Sequence, residues 1–514
     1  MEKVKAIAAV IAISLASTAV SGYQFATSDQ EIFIPYILKL QDPQLFPNDL
    51  LFSQFTANAS FFYQIMAYLA QFIDMEALFL AGLLFTKALL FIGIYLLAKV
   101  IFKKREIALL SLLPFLIPKF IGGAPILTYD DFFGYRSIGV IFLVFYLLFL
   151  LKAQFIKSSF LAAITLFFHP LSIIPSLLLS PVLILKNSKN KIKDIVIFVS
   201  IILSASILYL ITFDADSNLL QKSQEWLSVI RFRAPYIFPS LWGILGWLSL
   251  GMYLTLIAIY LKSARNSQKA NIILITVTSL FVFAVNFILL ELFQLPGFVK
   301  FQLVRSIAPL GYLGLILAPC LLLAKTKLLK FFGLISFMAL SLNLFYIFLA
   351  SAVIFIILLI KFKIITKNTV PVIFSNVIYV TIVFGLILNI LHLRNSINYQ
   401  LQKNDWTDIQ IWAKENTPED TLFLVPPYQT GFRIFSHRPI VGDIKDGAVV
   451  IYSLSYAKSW SAKMNDLESY DNSDQSDFVQ LANKYHFDYF VTRATQNVKF
   501  EKAYENKSFI IYKL

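Results

Sequence analysis

The sequence predicts a polytopic α-helical membrane protein of about 13 transmembrane helices, followed by a small C-terminal α/β extracytoplasmic domain. Composition is the first reason: of 514 residues 58% are hydrophobic and only 14% charged, with a mean hydropathy of +0.72, whereas soluble domains carry about a quarter charged residues. The second is segmentation, because uncharged apolar runs recur from near the N-terminus to Leu393 and then stop, dividing the chain into 1–393 and 394–514. The third is the placement of charge. The tail holds 14 Lys or Arg against 15 Asp or Glu, so the net charge of +14 belongs to residues 1–393. There the basic residues gather in short loops between apolar runs, as the positive-inside bias requires of cytoplasmic loops. The aromatic-basic interleaving of a nucleic-acid groove is missing, and no nucleic-acid partner is expected.

The opening Met1-Glu2-Lys3-Val4-Lys5 and the apolar stretch to Val20 resemble a signal peptide, with small residues from Ser17 to Gly22. Because the chain continues as a multispanning one, we read 5–22 as an uncleaved first span with its N-terminus in the cytoplasm. Further apolar runs cover 78–100, 107–122, 137–151, 158–185, 195–213, 240–261, 271–292, 306–324, 331–360 and 370–392. Those at 158–185 and 331–360 are about 45 Å long as single helices, against a hydrocarbon core of about 30 Å. Read as hairpins, they put the clusters Lys103 to Arg105, Lys186 to Lys193, Lys262 to Lys269, Lys325 to Lys330 and Lys361 to Lys367 on the cytoplasmic face together. Thirteen spans result, and the tail emerges outside.

With that topology, 12 of the 15 acidic residues before the tail face outward; only Glu2, Glu106 and Asp194 do not. They concentrate in a long first outer loop, 23–77, in the turn around Asp130-Asp131, and between Asp214 and Glu225. Within the first loop, Ser60 to Phe72 has the spacing of a helix lying along the membrane surface. In the tail, 405–416 reads as a helix with Asp405 as N-cap, 477–485 as a second helix, and 421–425, 434–441, 489–492 and 509–512 as strands. Arg433, His437, Arg438, Asp443 and Asp446 fall in or beside loops between them, where capping a sheet is the commoner role and catalysis the rarer one. Cys320 stands alone, so no intrachain disulfide or multi-cysteine metal site is possible.

No Walker loop, Rossmann fingerprint, His-Glu-x-x-His pair or Gly-x-Ser-x-Gly elbow occurs, which removes P-loop ATPases, Rossmann dehydrogenases, zincin proteases and common lipases. A single first helix, a long outer loop opening with Thr27-Ser28-Asp29-Gln30-Glu31, a surface helix in that loop and an Asp-Asp pair at the next outer turn resemble the GT-C superfamily of polyprenyl-phosphate-sugar-dependent glycosyltransferases. The tail segments Trp412 to Pro418, Phe432-Arg433 and Gly442 to Asp446 are similar to the outer domain of uncharacterised bacterial proteins of that type.

The resemblance implies sugar transfer from a polyprenyl-phosphate donor in the cell membrane to an extracytoplasmic acceptor. It maps the first-loop acid to Asp29 and the acidic pair to Asp130 and Asp131, with Asp29 and Asp130 as candidate ligands for a divalent metal, Mg or Mn. Gln30 stands where many members carry a second acid, which leaves the metal and the base open. Such transfer needs a base for the acceptor proton and a cation for the leaving phosphate. Arg305 is the first choice for the phosphate, with Arg231, Arg233 and Lys300 as alternatives, and Arg136 and His169 complete the candidate substrate contacts. Plainer readings stand beside these: Asp29 and Asp130 as helix caps, Arg136 as a structural partner of Asp131, Arg305 as an interfacial anchor, His169 as a turn residue. A lipid-linked glycan transporter or flippase, with Lys87 as its midplane charge, and a non-catalytic membrane scaffold are the competing functions.

Overall fold

A computed structural model describes residues 2–344, 354 and 404–514, apart from 54–59, 125, 214–219, 221, 264–266, 324–326 and 497. Two parts follow in chain order, a helical body and an α/β tail. The body begins with α1 (Glu2–Ser21), α2 (Gln30–Gln41), α3 (Leu50–Ser53), α4 (Phe61–Leu69), α5 (Met75–Phe102) and α6 (Arg105–Leu110). It continues with α7 (Tyr135–Leu151), α8 (Phe155–Phe168), α9 (Pro170–Ile173), α10 (Leu179–Asn187), α11 (Lys191–Phe213) and α12 (Gln224–Arg233). Then come α13 (Ile244–Ser263), α14 (Lys269–Phe287), α15 (Ala308–Leu317) and α16 (Lys327–Ser341).

Among the described residues, six helical segments are long and apolar enough to cross a membrane: Val4–Ser21, Met75–Phe102, Lys191–Leu210, Ile244–Ser263, Lys269–Leu292 and Leu303–Leu323. A seventh arises if the pair Pro170–Ser176 and Leu179–Asn187, bent by 45°, counts as one. Tyr135–Leu151, Phe155–Phe168 and Leu328–Ser341 are shorter apolar helices. The expected run 158–185 does break, at His169-Pro170, where proline cannot continue the hydrogen-bond ladder of α8. The run 331–360 stops as a helix at Ser341, with Asn343 in the left-handed region; its second half and the expected span 370–392 lie outside the described residues.

The run 107–122 is a correction. Instead of one spanning helix it forms α6, a short 3-10 turn at Leu113–Phe115, and a tight reversal in which Phe120 pairs with Leu127. Leu112, Leu113, Phe115 and Ile121 are fully buried, so hydropathy there records an interior packed in protein rather than a lipid contact. Glycine makes the reversal possible. Gly122 has φ +66°, and a Cβ at Gly123 would lie 2.3 Å from Trp242 Cγ. Hydroxyls of Ser249 and Tyr253 donate to the Phe120 carbonyl at 2.9 and 2.6 Å, and Tyr312 donates to that of Thr128 at 2.5 Å.

The loop helix expected at 60–72 is α4, whose Ser60 side chain accepts from the Phe62 backbone N–H as an N-cap. Phe61, Ile65 and Tyr68 remain exposed along one side of α4, the spacing of a single helical face, and exposed Phe72 follows in the turn after it.

The tail carries a four-stranded sheet, β1 (Phe423–Leu424), β2 (Tyr489–Arg493), β3 (Glu501–Glu505) and β4 (Phe509–Lys513), in the order β1-β2-β4-β3. β1 runs parallel to β2; the other pairs are antiparallel. Alternation along the strands gives the sheet two apolar faces. Phe490, Ile510 and Tyr512 pack with Phe478 of the helix Gln475–Tyr485, while Val491, Phe509 and Ile511 pack with Trp406 and Ile409 of the helix at 404–416. Two expectations change here. Residues 434–441 form no strand beyond a bridge from Ile440 to Phe423, because Arg433–Ser436 makes a helical turn closed by Ser436 Oγ donating to the Phe432 carbonyl and by His437 at φ +52°. Asp405 lies inside its helix rather than capping it. Arg438 does cap: its guanidinium donates to the carbonyls of Lys414 and Thr417, at the end of that same helix.

Body and tail share one apolar core. Ile434, Val449, Val450, Tyr456 and Trp460 of the tail belong to the same buried cluster as the helices.

Candidate functional site

Two loops of the body and one loop of the tail build the site. Ala26 and Ser28 adopt left-handed backbone, which turns the chain sharply after α1 and places Asp29 at the head of α2. Gln30 Nε2 then donates to the Phe133 carbonyl at 3.0 Å, and the Gln24 N–H donates to the Asp131 carbonyl at 3.0 Å. The Asp29 loop is thereby pinned to the Asp130-Asp131 turn, itself fixed by the reversal at 119–128.

Arg136, the second residue of α7, receives both. Its Nε and Nη2 donate to Asp130 at 2.8 and 2.5 Å, a bidentate pair, and Nη2 lies 4.0 Å from Asp29. Arg136 is thus the partner of Asp130 rather than of Asp131. Although Asp29 holds the N-cap position, its carboxylate makes no cap bond; it accepts from Lys445 Nζ of the tail at 3.1 Å. Burial works to raise the proton affinity of Asp29, but Lys445, Arg136 and Arg305 outweigh it and hold the carboxyl below the usual range. Asp131 is pushed the other way, by burial and by the neighbouring charge of Asp130.

Arg305 lies within Coulombic range of Asp29, Tyr135, Tyr236, Tyr452 and His169. Its Nε donates to Gln302 at 2.5 Å, and among the described residues no carboxylate comes within 4.0 Å of it. His169 sits one layer back, its ring 4.8 Å from that of Tyr135 and its Nδ1 2.5 Å from Ser172 Oγ. Tyr135 is itself packed against Phe33 and Tyr63, which makes an aromatic wall beside the cations.

Of the remaining arginine candidates, Arg233 borders the site, within Coulombic range of Tyr236 as Arg305, Asp29 and Arg136 are. Arg233 Nε donates to the Ile444 carbonyl at 3.0 Å, tying α12 to the tail, and Arg231 stacks over Phe238. Lys87 donates to Ser21 and lies over the Tyr129 ring, on the α1 side of the Asp131 turn.

A divalent metal at Asp29 and Asp130 does not fit this donor set. Both carboxylates approach the same guanidinium, Lys445 occupies the free side of Asp29, and among the described residues no three His, Cys, Asp or Glu side chains converge as ligands. Arg136, Lys445 and Arg305 gathered at Asp29 make instead a place for an anion.

Sequence reading missed Lys445 and Asp49. Asp49 is the centre of a second junction, buried deeper than the first. Arg433 Nε and Nη2 donate to Asp49 at 2.7 and 2.9 Å, and its Nη1 and Nη2 donate to Asp446 at 2.8 Å each. Asp49 also accepts from the Ile440 N–H at 3.0 Å. Asp443 lies 4.0 Å from Arg433 and caps the following turn through the N–H groups of Lys445 and Asp446. Burial and the charge of Asp446 push its carboxyl well above the carboxylate range. The outward bias of acidic residues was the one sequence signal that included Asp49.

No curated protein matches the chain. Residues 404–467 match a family described as a domain of unknown function (DUF6798). The matched stretch holds Arg433, Asp443, Lys445 and Asp446, so the similarity falls on the half of the tail that meets the body and ends before the helix Gln475–Tyr485 and strands β2 to β4.

Proposed function

We propose that the protein is a membrane glycosyltransferase of GT-C type, moving a sugar from a polyprenyl-phosphate carrier to an extracytoplasmic acceptor. The observation that carries this reading is the meeting of Arg136, Arg305 and Lys445, from three separate elements, around Asp29 and Asp130. In the transfer, an acceptor oxygen forms a bond to the sugar C1 as the bond from C1 to the phosphate oxygen breaks. The bonding pair leaves on the phosphate, and the acceptor proton passes to Asp29. Arg305 and Arg136 offset the charge that grows on the departing phosphate. The exposed apolar side of α4 supports a resting place at the membrane surface next to this site.

The reading places the site and the tail outside the cytoplasm in the cell membrane. A periplasm-active reporter fused after Lys513 should be active and a cytoplasm-only reporter silent; the reverse would put the acidic loops on the wrong side for an extracytoplasmic acceptor. The direct test supplies purified protein in nanodiscs with radiolabelled polyprenyl-phosphate hexoses. Loss of label from the lipid, abolished in Asp29→Asn, is expected. The bent pair Pro170–Ser176 and Leu179–Asn187 is what a transporter reading would rest on. If the lipid crosses a proteoliposome bilayer chemically unchanged, that reading replaces ours.

A further inference from the structure

We infer that the end of the helical body away from the candidate site holds an anionic membrane lipid, its phosphate bound by Lys152, Lys186 and Lys269. The inference goes beyond the proposed function and does not depend on it. α7 carries Arg136 at its start and runs 17 residues, or about 25 Å, to Leu151. There a chain of side-chain amides ties three helix ends together. Gln268 Nε2 donates to the Leu151 carbonyl at 3.2 Å, Asn271 Nδ2 donates to Gln268 Oε1 at 2.9 Å, and Asn187 Nδ2 donates to Asn271 Oδ1 at 3.0 Å. A lysine stands next in sequence at each end so joined: Lys152 after Leu151, Lys186 before Asn187, and Lys269 after Gln268. The amides thus gather ammonium groups that belong to α10, α14 and the turn after α7. α14 also begins at Lys269 without a side-chain cap, which leaves its first N–H groups at the same place.

These charges are not offset by acids. Lys157 and the lysines at 189, 191 and 193 add to them, whereas Asp194, which accepts from Ser188 Oγ at 2.6 Å, is the one acid in residues 151–157, 186–194 and 267–271. Among the described residues, no carboxylate comes within 4.0 Å of Lys152, Lys157, Lys186 or Lys269. Lysine-rich turns at one membrane face are ordinary; the amide chain and the lack of acids set this cluster apart. Its apolar neighbours select a lipid over a soluble anion. Ile156, beside Lys157, starts an exposed row with Phe160 and Ile164 along α8, and Ile192, between two lysines, starts another with Val196 and Val199 along α11. α8 and α11 pack against each other and both begin at this end. The ammonium groups therefore stand at the head of two apolar faces, which matches a phosphate carried on acyl chains.

The experiment titrates full-length protein in an uncharged detergent with phosphatidylglycerol, with phosphatidylcholine of the same chains and with inorganic phosphate, and counts bound lipid by native mass spectrometry. Wild type should retain phosphatidylglycerol at least about tenfold more tightly than phosphatidylcholine, without displacement by millimolar phosphate. Substituting Lys152→Gln, Lys186→Gln and Lys269→Gln together should abolish that preference, while Lys103→Gln with Lys104→Gln, at the end of α5, should leave it intact. A triple variant that binds like wild type would overturn the site. So would an equal loss in the α5 variant, which would reduce the effect to the general charge of this face. Displacement by inorganic phosphate would assign the cluster to a soluble anion and overturn the lipid. Asn187→Leu keeps every lysine but breaks the amide chain, and should lower the preference about threefold; no change would overturn the gathering role of the amides. Melting temperatures separate lost binding from lost structure. If the triple variant does not fold, the three single substitutions are read instead, each expected to lose about threefold.

Discussion

Around Arg433 and around Asp29 the same two parts of the chain are joined by charge, yet the junctions are built on opposite plans. At Arg433 both carboxylates are fully buried and lie at 2.7 to 2.9 Å, so four hydrogen bonds offset the desolvation of the ions. At Asp29 the carboxylate is partly open and shared between a near lysine and a distant arginine. A saturated junction holds a geometry; an unsaturated one keeps capacity for another partner. The first fixes where the tail sits, and the second is where we place the ligand.

The comparison breaks most directly at Arg433. Arg433→Ala strands Asp49 and Asp446 in the interior, and removing one partner of a buried pair costs about 3–5 kcal/mol. A fall in melting temperature together with rapid proteolysis near residues 404–416 is expected; a variant as stable and as protected as wild type would mean that the clamp is dispensable. Asp29→Asn should do the reverse. Sugar transfer should fall by about two orders of magnitude, with the melting temperature close to wild type, and a large loss of stability would instead make Asp29 a structural residue.

The two junctions also differ in their response to pH. Asp443 has its folded pKa raised above the unfolded value of about 3.9. Its favourable contribution is therefore complete below that value and declines as pH climbs through the folded one. Asp443→Asn, which stays neutral and can still accept from Lys445 and Asp446, should equal wild type near pH 4 and gain on it steadily toward pH 8. Melting curves across that range decide; a constant difference would show Asp443 ionised in the folded protein. The smallest effect belongs to a third contact, Lys458 with Glu225 at 2.7 Å, where both side chains are more than half exposed. Lys458→Ala should leave the melting temperature unchanged within error, since solvent screens such pairs. A clear shift would mean that exposure does not separate the junctions as argued.

Much of the helical pattern was legible because hydropathy and length suffice for an isolated span: α5 covers the run read at 78–100 and α7 that at 137–151. The misreading at 107–122 has the same cause turned around, since a run buried among other helices has the composition of one that faces lipid. In the tail, the strands at 489–493 and 509–513 announced themselves as short apolar runs, but Arg433–Ser436 had strand-like residues that instead form a helical turn closed by Ser436 Oγ donating to the Phe432 carbonyl. Asp29 and Asp130 came forward from the outward bias of acidic residues joined to the family resemblance, and Arg136 and Arg305 from their places at the outer ends of spans. Lys445 did not, for its partner lies 416 positions away and nothing local marks a lysine that crosses between domains.

Among the described residues, the hydrogen bonds and ion pairs that tie tail to body all fall between Thr430 and Lys458. The sheet strands β2 to β4 take no part in them. In practical terms the protein comes with a handle: an epitope or fluorophore inserted at the Asn506–Ser508 turn between β3 and β4 would break the bonds of Asn506 and Ser508 to Asp405 and Asp408 but leave the contacts between tail and body untouched. The same geometry means that, among the described residues, a load placed on the sheet would reach the site through the stretch that carries Arg433 and Lys445.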